Sequence, residues 1–359
     1  MSVIPSDIVV YGSANMPESD GTTIGGAVDF SKRVAFYDIS PNGTLDVVSS
    51  SASDTATKIT YSVRDATGAI QNVTATLNGT TVVTGAQTAE RLLYAALSGA
   101  ATGGPLSNPG GTAAVGDIAL YAHTAVIAAH TAQSGSANKS GTTPALFKLQ
   151  SGDGASVSAG QIIRIKTNTG ANQLRQIIAT SGYGTDVVAI NRDWGTIPDS
   201  TSTYDIYQGM LFEISPNAVT AIIRIFATSA ADVPGGSSRT YYEKGFVVNN
   251  NTATALTAAQ IEIASDSPSL PGSAALDIAL CTGLNDTNTT TNRQTAPASG
   301  AGSFATQPAF VSVPGAGNLP SGATPNSAGA MGVWFRLTLP AGTTTYKGAA
   351  DLRTQGNTV

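Results

Sequence analysis

Alternation of apolar and polar positions dominates this chain. In "KRVAFYDI" (32–39) and "TKITYSVRD" (57–65), β-branched and aromatic residues take turns with polar ones. That is the period-2 pattern of a half-buried strand. "QNVTATLNGTTVVTG" sets Asn78-Gly79 between two Thr/Val-rich runs. Both residue types tolerate positive φ, so the spacing predicts a type I′ hairpin. "RDATGAI" predicts a second turn over Ala66 to Gly68, and residues 30–86 read together as a β-meander. One segment breaks the alternation. In "TAERLLYAALSG", Thr88 is placed to cap a helix, Glu90 suits its first turn, and Leu92, Leu93, Ala96 and Leu97 share a face. Gly99 supplies the stop, so a short helix is predicted near 88–98.

Further along, "DIALYAHTAVIAAHTA" fits a strand to about Thr124 or a short helix, the strand being the better match. "QSGSANKSGTTP" (133–144) is linker-like in composition. After it come five short apolar runs, "ALFKLQ", "GQIIRIKT", "NQLRQIIAT", "TDVVAINRDW" and "TYDIYQ", separated by Gly-rich turns. Their spacing suits a small antiparallel sheet or barrel. The remainder is again strand-like. "TYYEKGFVVNNN" puts Tyr242, Lys244, Phe246 and Val248 on one face and Tyr241, Glu243 and Val247 on the other. "QIEIAS", "LDIALC" and "GVWFRLTLPAG" complete a sandwich, and 283–330 reads as long loops with one strand at "AFVSV".

These patterns sum to an all-β, multidomain chain of antiparallel β-sandwich and barrel modules with one short helix. The expected divisions are an N-terminal β-rich domain (1–142), a small inserted antiparallel module (143–209) and a C-terminal β-sandwich (210–359). Residues 1–30 join apolar "DIVVYG" to Gly-rich "SDGTTIGGAV". They fit a strand of their own domain, or an arm that adds to a neighbour's sheet edge.

Composition narrows the function. Only 11% of the 359 residues are charged, against about 25% in an average soluble domain. The hydrophobic share is 41%, so a core is affordable, while Thr, Ser, Asn and Gly replace the missing charge. Net charge is −5 and no basic run exists, which disfavours a nucleic-acid partner. The single cysteine, Cys281, rules out an internal disulfide and reads as a small buried hydrophobe. The first residues lack the basic start and apolar core of a secretory signal. No run approaches the ~18 apolar residues of a membrane helix. The expectation is a chain made in a cytoplasm that does not engage a membrane.

Candidate chemistry is sparse. His123 and His130 have no cysteine or carboxylate near them in sequence, so no metal site is expected. "GAGNLPSG" carries Pro320 where a dinucleotide fingerprint needs its third glycine, and neither a nucleophile elbow nor a Walker loop occurs. "LNDTNTTTN" and the loop around Asp153 lack the acidic spacing of an EF-hand. The richest stretch is "NRDWGTIPDSTSTYDIYQ" (191–208). In one reading, Trp194 and Ile197 cover one end of a sheet and Pro198-Asp199 starts a turn. Arg175 or Arg192 then pairs with Asp193 or Asp205, and Tyr204 and Ile206 return into a strand. In the other, Trp194, Tyr204 and Tyr207 are stacking surfaces for a glycan, with paired carboxylates beside them. The first is favoured, because the acids lie in or beside turns, where aspartate serves the backbone. No enzyme activity, cofactor or metal is expected.

Two long stretches resemble known modules. "GQIIRIKTNTGANQLRQIIATSGYGTDVVAINRDWGTIPDSTSTYDIY" is similar to a small β-module that recurs in structural proteins of tailed bacteriophages. Its marks here are Gly160-Gln161, Gly170 to Arg175, Trp194, and Pro198 to Tyr204. "YYEKGFVVNNNTATALTAAQIEIA" and "GVWFRLTLPAGTTTYKGAADLRTQGNT" look like a sandwich module of phage virions. The resemblance implies a structural component of a tailed-phage virion (capsid decoration, neck or tail), made in the host bacterial cytoplasm and acting by subunit packing. Its expected partners are copies of itself and other virion proteins. The alternative is a tail-tip protein that binds a receptor or host surface glycan.

Overall fold

The structure, a computed structural model, describes residues 2–17, 21–35, 43–65, 67, 69–100, 108–215, 217–226, 235–264, 274–315, 317–324, 326–342 and 350–358. Three sheets contain its strands, numbered along the chain. The largest runs in the order β17 (Ala275–Leu284), β20 (Met331–Leu339), β15 (Arg239–Asn249), β1 (Ile8–Asn15), β2 (Ile24–Ala35), β14 (Ala221–Arg224), β7 (Arg91–Leu97), β4 (Lys58–Arg64) and β5 (Ile70–Thr76), with β18 (Thr289–Thr290) paired to β2. The second runs β6 (Val83–Thr84), β3 (Leu45–Ser49), β8 (Ile118–Thr131), β13 (Thr203–Phe212), β10 (Ile162–Thr167), β11 (Leu174–Ala179), β12 (Val187–Ile190) and β9 (Ala145–Lys148). The third is β19 (Val311–Ser312), β16 (Leu256–Ile263) and β21 (Leu352–Thr358). Pairing is antiparallel except between β14 and β2.

Burial divides this frame into two sandwiches and a barrel. In the first sandwich, Ile59, Tyr61, Val63 and Leu97 of the large sheet bury against Leu45, Val47, Ile118, Leu120 and Phe212 of the second. At the other end of the large sheet, Tyr241, Ile278, Trp334 and Phe335 meet Ile261 and Ile263 of the third. Each such side chain contributes about 1.5–3 kcal/mol on burial. The barrel forms from the far halves of β8 and β13 together with β10, β11, β12 and β9. It closes because the chain after β8 turns back along β9. Gln133 N–H donates to Lys148 O at 3.2 Å, and Ala137 and Leu146 exchange backbone bonds at 3.1 and 2.8 Å. Phe147, Ile163, Ile165, Ile177, Val188, Ile190 and Ile206 fill the interior.

The all-β reading holds, and several finer expectations are corrected. Residues 91–97 form strand β7, not a helix, and all seven are buried. Leu92, Ala95 and Leu97 face one core, while Leu93 and Tyr94 face the other. The register with β4 skips Leu93, since Val63 pairs with Leu92 and Ser62 with Tyr94. This β-bulge shifts the alternation by one and imitates a helical face. Gly99, at φ +87°, ends the strand.

Asn78-Gly79 does form a turn, closed by Thr81 N–H to Asn78 O at 3.0 Å. It is not a type I′ hairpin. Gly79 has φ +57° but Thr80 does not join it at positive φ, and the flanking β5 and β6 lie in different sheets. The turn between β4 and β5 is closed by Asp65 N–H to Ala69 O at 2.9 Å. Ala66 and Gly68 lie outside the described residues, as do 36–39 of the first strand-like run. Residues 8–15 are an interior strand between β15 and β2, so the amino-terminal arm is spent within its own fold. The "linker" at 133–144 is the barrel's closing segment, polar because it turns at the surface.

β13 pivots from barrel to sandwich at Gly209, where its register with β8 shifts. A Cβ there would meet Leu120 O at 2.6 Å and Tyr121 Cβ at 2.7 Å. Gly209→Ala should therefore cost about 1–3 kcal/mol by overpacking. Gly235→Ala, with nothing within 4 Å of the added carbon, should be near neutral. Urea midpoints of the two variants check this.

Candidate functional site

Where the barrel abuts both sandwiches there is a cleft of about 220 Å³, lined by Ile8, Arg33, Gln176, Asn191, Arg192, Glu213, Asn217 and Asn250 among others. Glu213 follows β13 directly, so the buried strand carries its carboxylate inward. It is only 4% exposed. It accepts from Arg33, from Asn191 Nδ2, and from Asn217 Nδ2 at 3.2 Å. Burial opposes its charge, but the Arg33 guanidinium, Arg192 and the Asn191 amide outweigh that and hold its pKa below the usual glutamate value.

Behind Glu213 lies a second pair. Arg192 meets the buried Asp117 carboxylate and donates to Ser215 O. Asp117 also accepts the Ile214 N–H at 3.1 Å. Arg175 is within 3.9 Å of Asp117, and its Nε and Nη2 donate to Asp193 O at 3.1 and 2.6 Å. Burial lowers the Arg175 pKa to about 10. The pairing expected from sequence is thus corrected. Arg175 holds the backbone carbonyl of Asp193, and Arg192 reaches back to Asp117. Asp205 pairs with Lys166 at 3.1 Å.

The three aromatic candidates are interior. Trp194 donates its indole N–H to Leu146 O at 3.0 Å, lies 5.5 Å from the Phe147 ring and sits under Arg175 at 5.1 Å. Tyr204 donates to Asp153 and accepts the Gln150 N–H at 2.9 Å, edge-on to Phe147. Tyr207 donates to Asp205 at 2.7 Å and stacks on Tyr121 at 4.2 Å. Burial first, then the neighbouring carboxylates, push both tyrosine pKa values up. None of the three offers a free face to a sugar. Asp199 caps its own turn through the Thr201 N–H at 2.8 Å, as its place after Pro198 suggests.

Sequence distance concealed two further pairs. His123 Nδ1 is 2.8 Å from Asp46, and His130 Nδ1 is 2.7 Å from the Asp153 oxygen that also takes the Tyr204 hydroxyl. Strand pairing brings these partners together from 77 and 23 residues apart, a separation that carries no local signal. Among the described residues neither pair has a nucleophile on its outward Nε2, which acyl-transfer chemistry requires. No group of three or more metal-ligating side chains occurs among the described residues, and no described helix is long and apolar enough to cross a membrane. No protein-family model, curated protein or solved structure matches the chain. The cleft's charges are matched from within, so what the arrangement does is lock the barrel to the sandwiches.

Since folding lowers the Glu213 pKa, its contribution is complete above the ordinary glutamate value. It is lost as pH falls below that value and through the lowered one. Glu213→Gln should cost about 3 kcal/mol at neutral pH, because Arg33 loses a buried partner. The gap to the wild type should close on acidification. Urea titrations of both proteins at pH 7 and pH 3 measure it.

Proposed function

We propose that this chain is a structural component of a tailed-phage virion, in the capsid decoration, neck or tail, and works by packing against copies of itself and other virion proteins. The resemblance of residues 160–207 and of the C-terminal sandwich to virion modules supports this reading. The observation that carries it is an open sheet edge. β5 ends the large sheet, and among the described residues nothing pairs with its outer side. Its sequence, "IQNVTAT", has neither charge nor proline, its register with β4 is unbroken over seven residues, and Ile70 is 52% exposed. An edge of this kind is a template for another strand. Its own exposed residues, Ile70, Asn72, Thr74 and Thr76, carry no charge and bury without the desolvation cost of one. β21 is a second long edge, paired only to β16.

The test is sedimentation of the purified chain over rising concentration, with copy number per particle from assembled virions. Oligomers are expected. Asn72→Lys with Thr74→Lys, on the exposed face of β5, should weaken them at least tenfold while changing stability by only about 0.5 kcal/mol. A chain that stays monomeric and is absent from particles overturns the proposal.

A further inference from the structure

Lys244 has no exposed side-chain surface and Asp286 has 9%. Lys244 projects from the middle of β15, and Asp286 lies in the turn after β17. The ammonium nitrogen lies 2.5 Å from Asp286 Oδ1. It also reaches Gly26 O at 3.0 Å and the backbone oxygens of Asp286 and Asn288 at 3.1 Å. An ordinary ammonium–carboxylate bond is about 2.7–2.9 Å. The Phe246 and Trp334 rings stand 5.0 and 5.6 Å from Nζ. Gly332 keeps the space open, since a Cβ there would lie 2.6 Å from Cys281 Sγ and 3.3 Å from Lys244 Cε. On the far side, Asn288 Nδ2 donates to Asp286 Oδ2 at 2.5 Å and the Asn288 N–H donates to Oδ1 at 3.0 Å. Among the described residues, the other fully buried amine differs. Lys32 pairs at 3.0 Å with Asp29 three residues away on the same strand, and that carboxylate is 20% exposed.

We infer that Lys244 and Asp286 are the two halves of an intrachain amide cross-link, with Asn288 bound to the reacting carboxyl. The ammonium passes one proton to Oδ1, leaving a neutral amine beside a carboxylic acid. The amine lone pair attacks Cγ, and Asn288 Nδ2 holds the charge that develops on Oδ2. The Cγ–Oδ1 bond breaks, Oδ1 takes the second proton from nitrogen, and one water leaves. The product is a secondary amide, and no oxidant or other reactant is consumed. Burial opposes the Asp286 charge, but Lys244 and Asn288 outweigh it and hold its pKa low, so Asp286 rests as the carboxylate and reacts only once it has taken up a proton. Two features favour that route. A dry site penalises the separated charges, and groups held in contact act at effective concentrations of about 10⁵–10⁸ M. Cys281 does not compete, because burial pushes its thiol pKa up to about 12.

Mass spectrometry of the purified full chain decides the matter. The expected intact mass is lower than that of the sequence by one water. Trypsin combined with a glutamate-specific protease should release Lys244–Glu262 joined to Ile263–Arg293, uncut after Lys244. In denaturing gels the wild type should run ahead of Asp286→Ala, which loses the joined fragment. Full mass with the two fragments separate overturns the inference, whether or not the variant folds. A link through Asn288 with loss of ammonia also overturns it. The outcome does not depend on oligomerisation or on presence in virions.

Discussion

The fold depends on one strand pair. β8 and β13 run side by side from Ile118–Phe212 at one end to Thr131–Thr203 at the other. At the Ile118–Phe212 end they face the sandwich core through Ile118, Leu120, Met210 and Phe212. At the Thr131–Thr203 end they face the barrel core through Ala128, Tyr204 and Ile206. A straight ladder does not serve two separate cores. Register shifts beside Gly209 supply the bend, and the absent side chain lets Leu120 O and Tyr121 approach. The barrel is therefore continuous with the sandwich by covalent strands, and its orientation is set by backbone pairing.

That geometry explains where the scarce charges go. A joint between a barrel and two sandwiches leaves a wedge that apolar side chains do not fill. Glu213, Arg33, Asp117, Arg192 and Arg175 occupy it, and each is met by an opposite charge or a carbonyl. Such pairs add little net stability over an apolar filling, because desolvation consumes most of the Coulomb gain. Their directionality is what matters here. A guanidinium reaching from the barrel to Asp117 or Ser215 fits one orientation only. The same economy places Asp153, Asp199 and Asp205 on tyrosines, turns and a lysine inside the module.

Much of this was legible from local pattern. The strands of the barrel, the two faces of β15 and the capped turn at Asp199 follow from alternation and from what aspartate does for a backbone. Tyr241 and Val247 in one core and Phe246 and Val248 in another match the alternating reading. What failed locally failed for identifiable reasons. The bulge at Leu93 shifted the phase of β7 and produced a false helical face. The Asn78-Gly79 turn joins strands of different sheets, which no dipeptide announces. By contrast, the favoured reading of Trp194 and Tyr204 as parts of the module agrees with their burial, and the glycan alternative arose because aromatic, acidic and hydroxyl groups crowd both pockets and small cores. The cleft was not legible at all. Arg33, Asp117, Arg192 and Glu213 come from distant segments, and only the meeting of β2 with the ends of β8, β12 and β13 assembles them.

The treatment of sheet edges bears on what the molecule is for. An open, regular, uncharged edge invites uncontrolled strand addition, and proteins blunt such edges with charge, proline, bulges or covering loops. This chain does so selectively. The barrel has no edge, because 133–137 closes it along β9. The outer side of β17 is covered by bridges from Ala301 and Ala305. β6 and β19 are only two residues long. β5 keeps its full length with no such device, and its outward residues are Asn72, Thr74 and Thr76. Two long borders stay open, β5 and β21, and of these only β5 has no charged residue and an unbroken register, which suits an edge consumed by assembly. There its backbone donors and acceptors, and not any side-chain chemistry, make the contact.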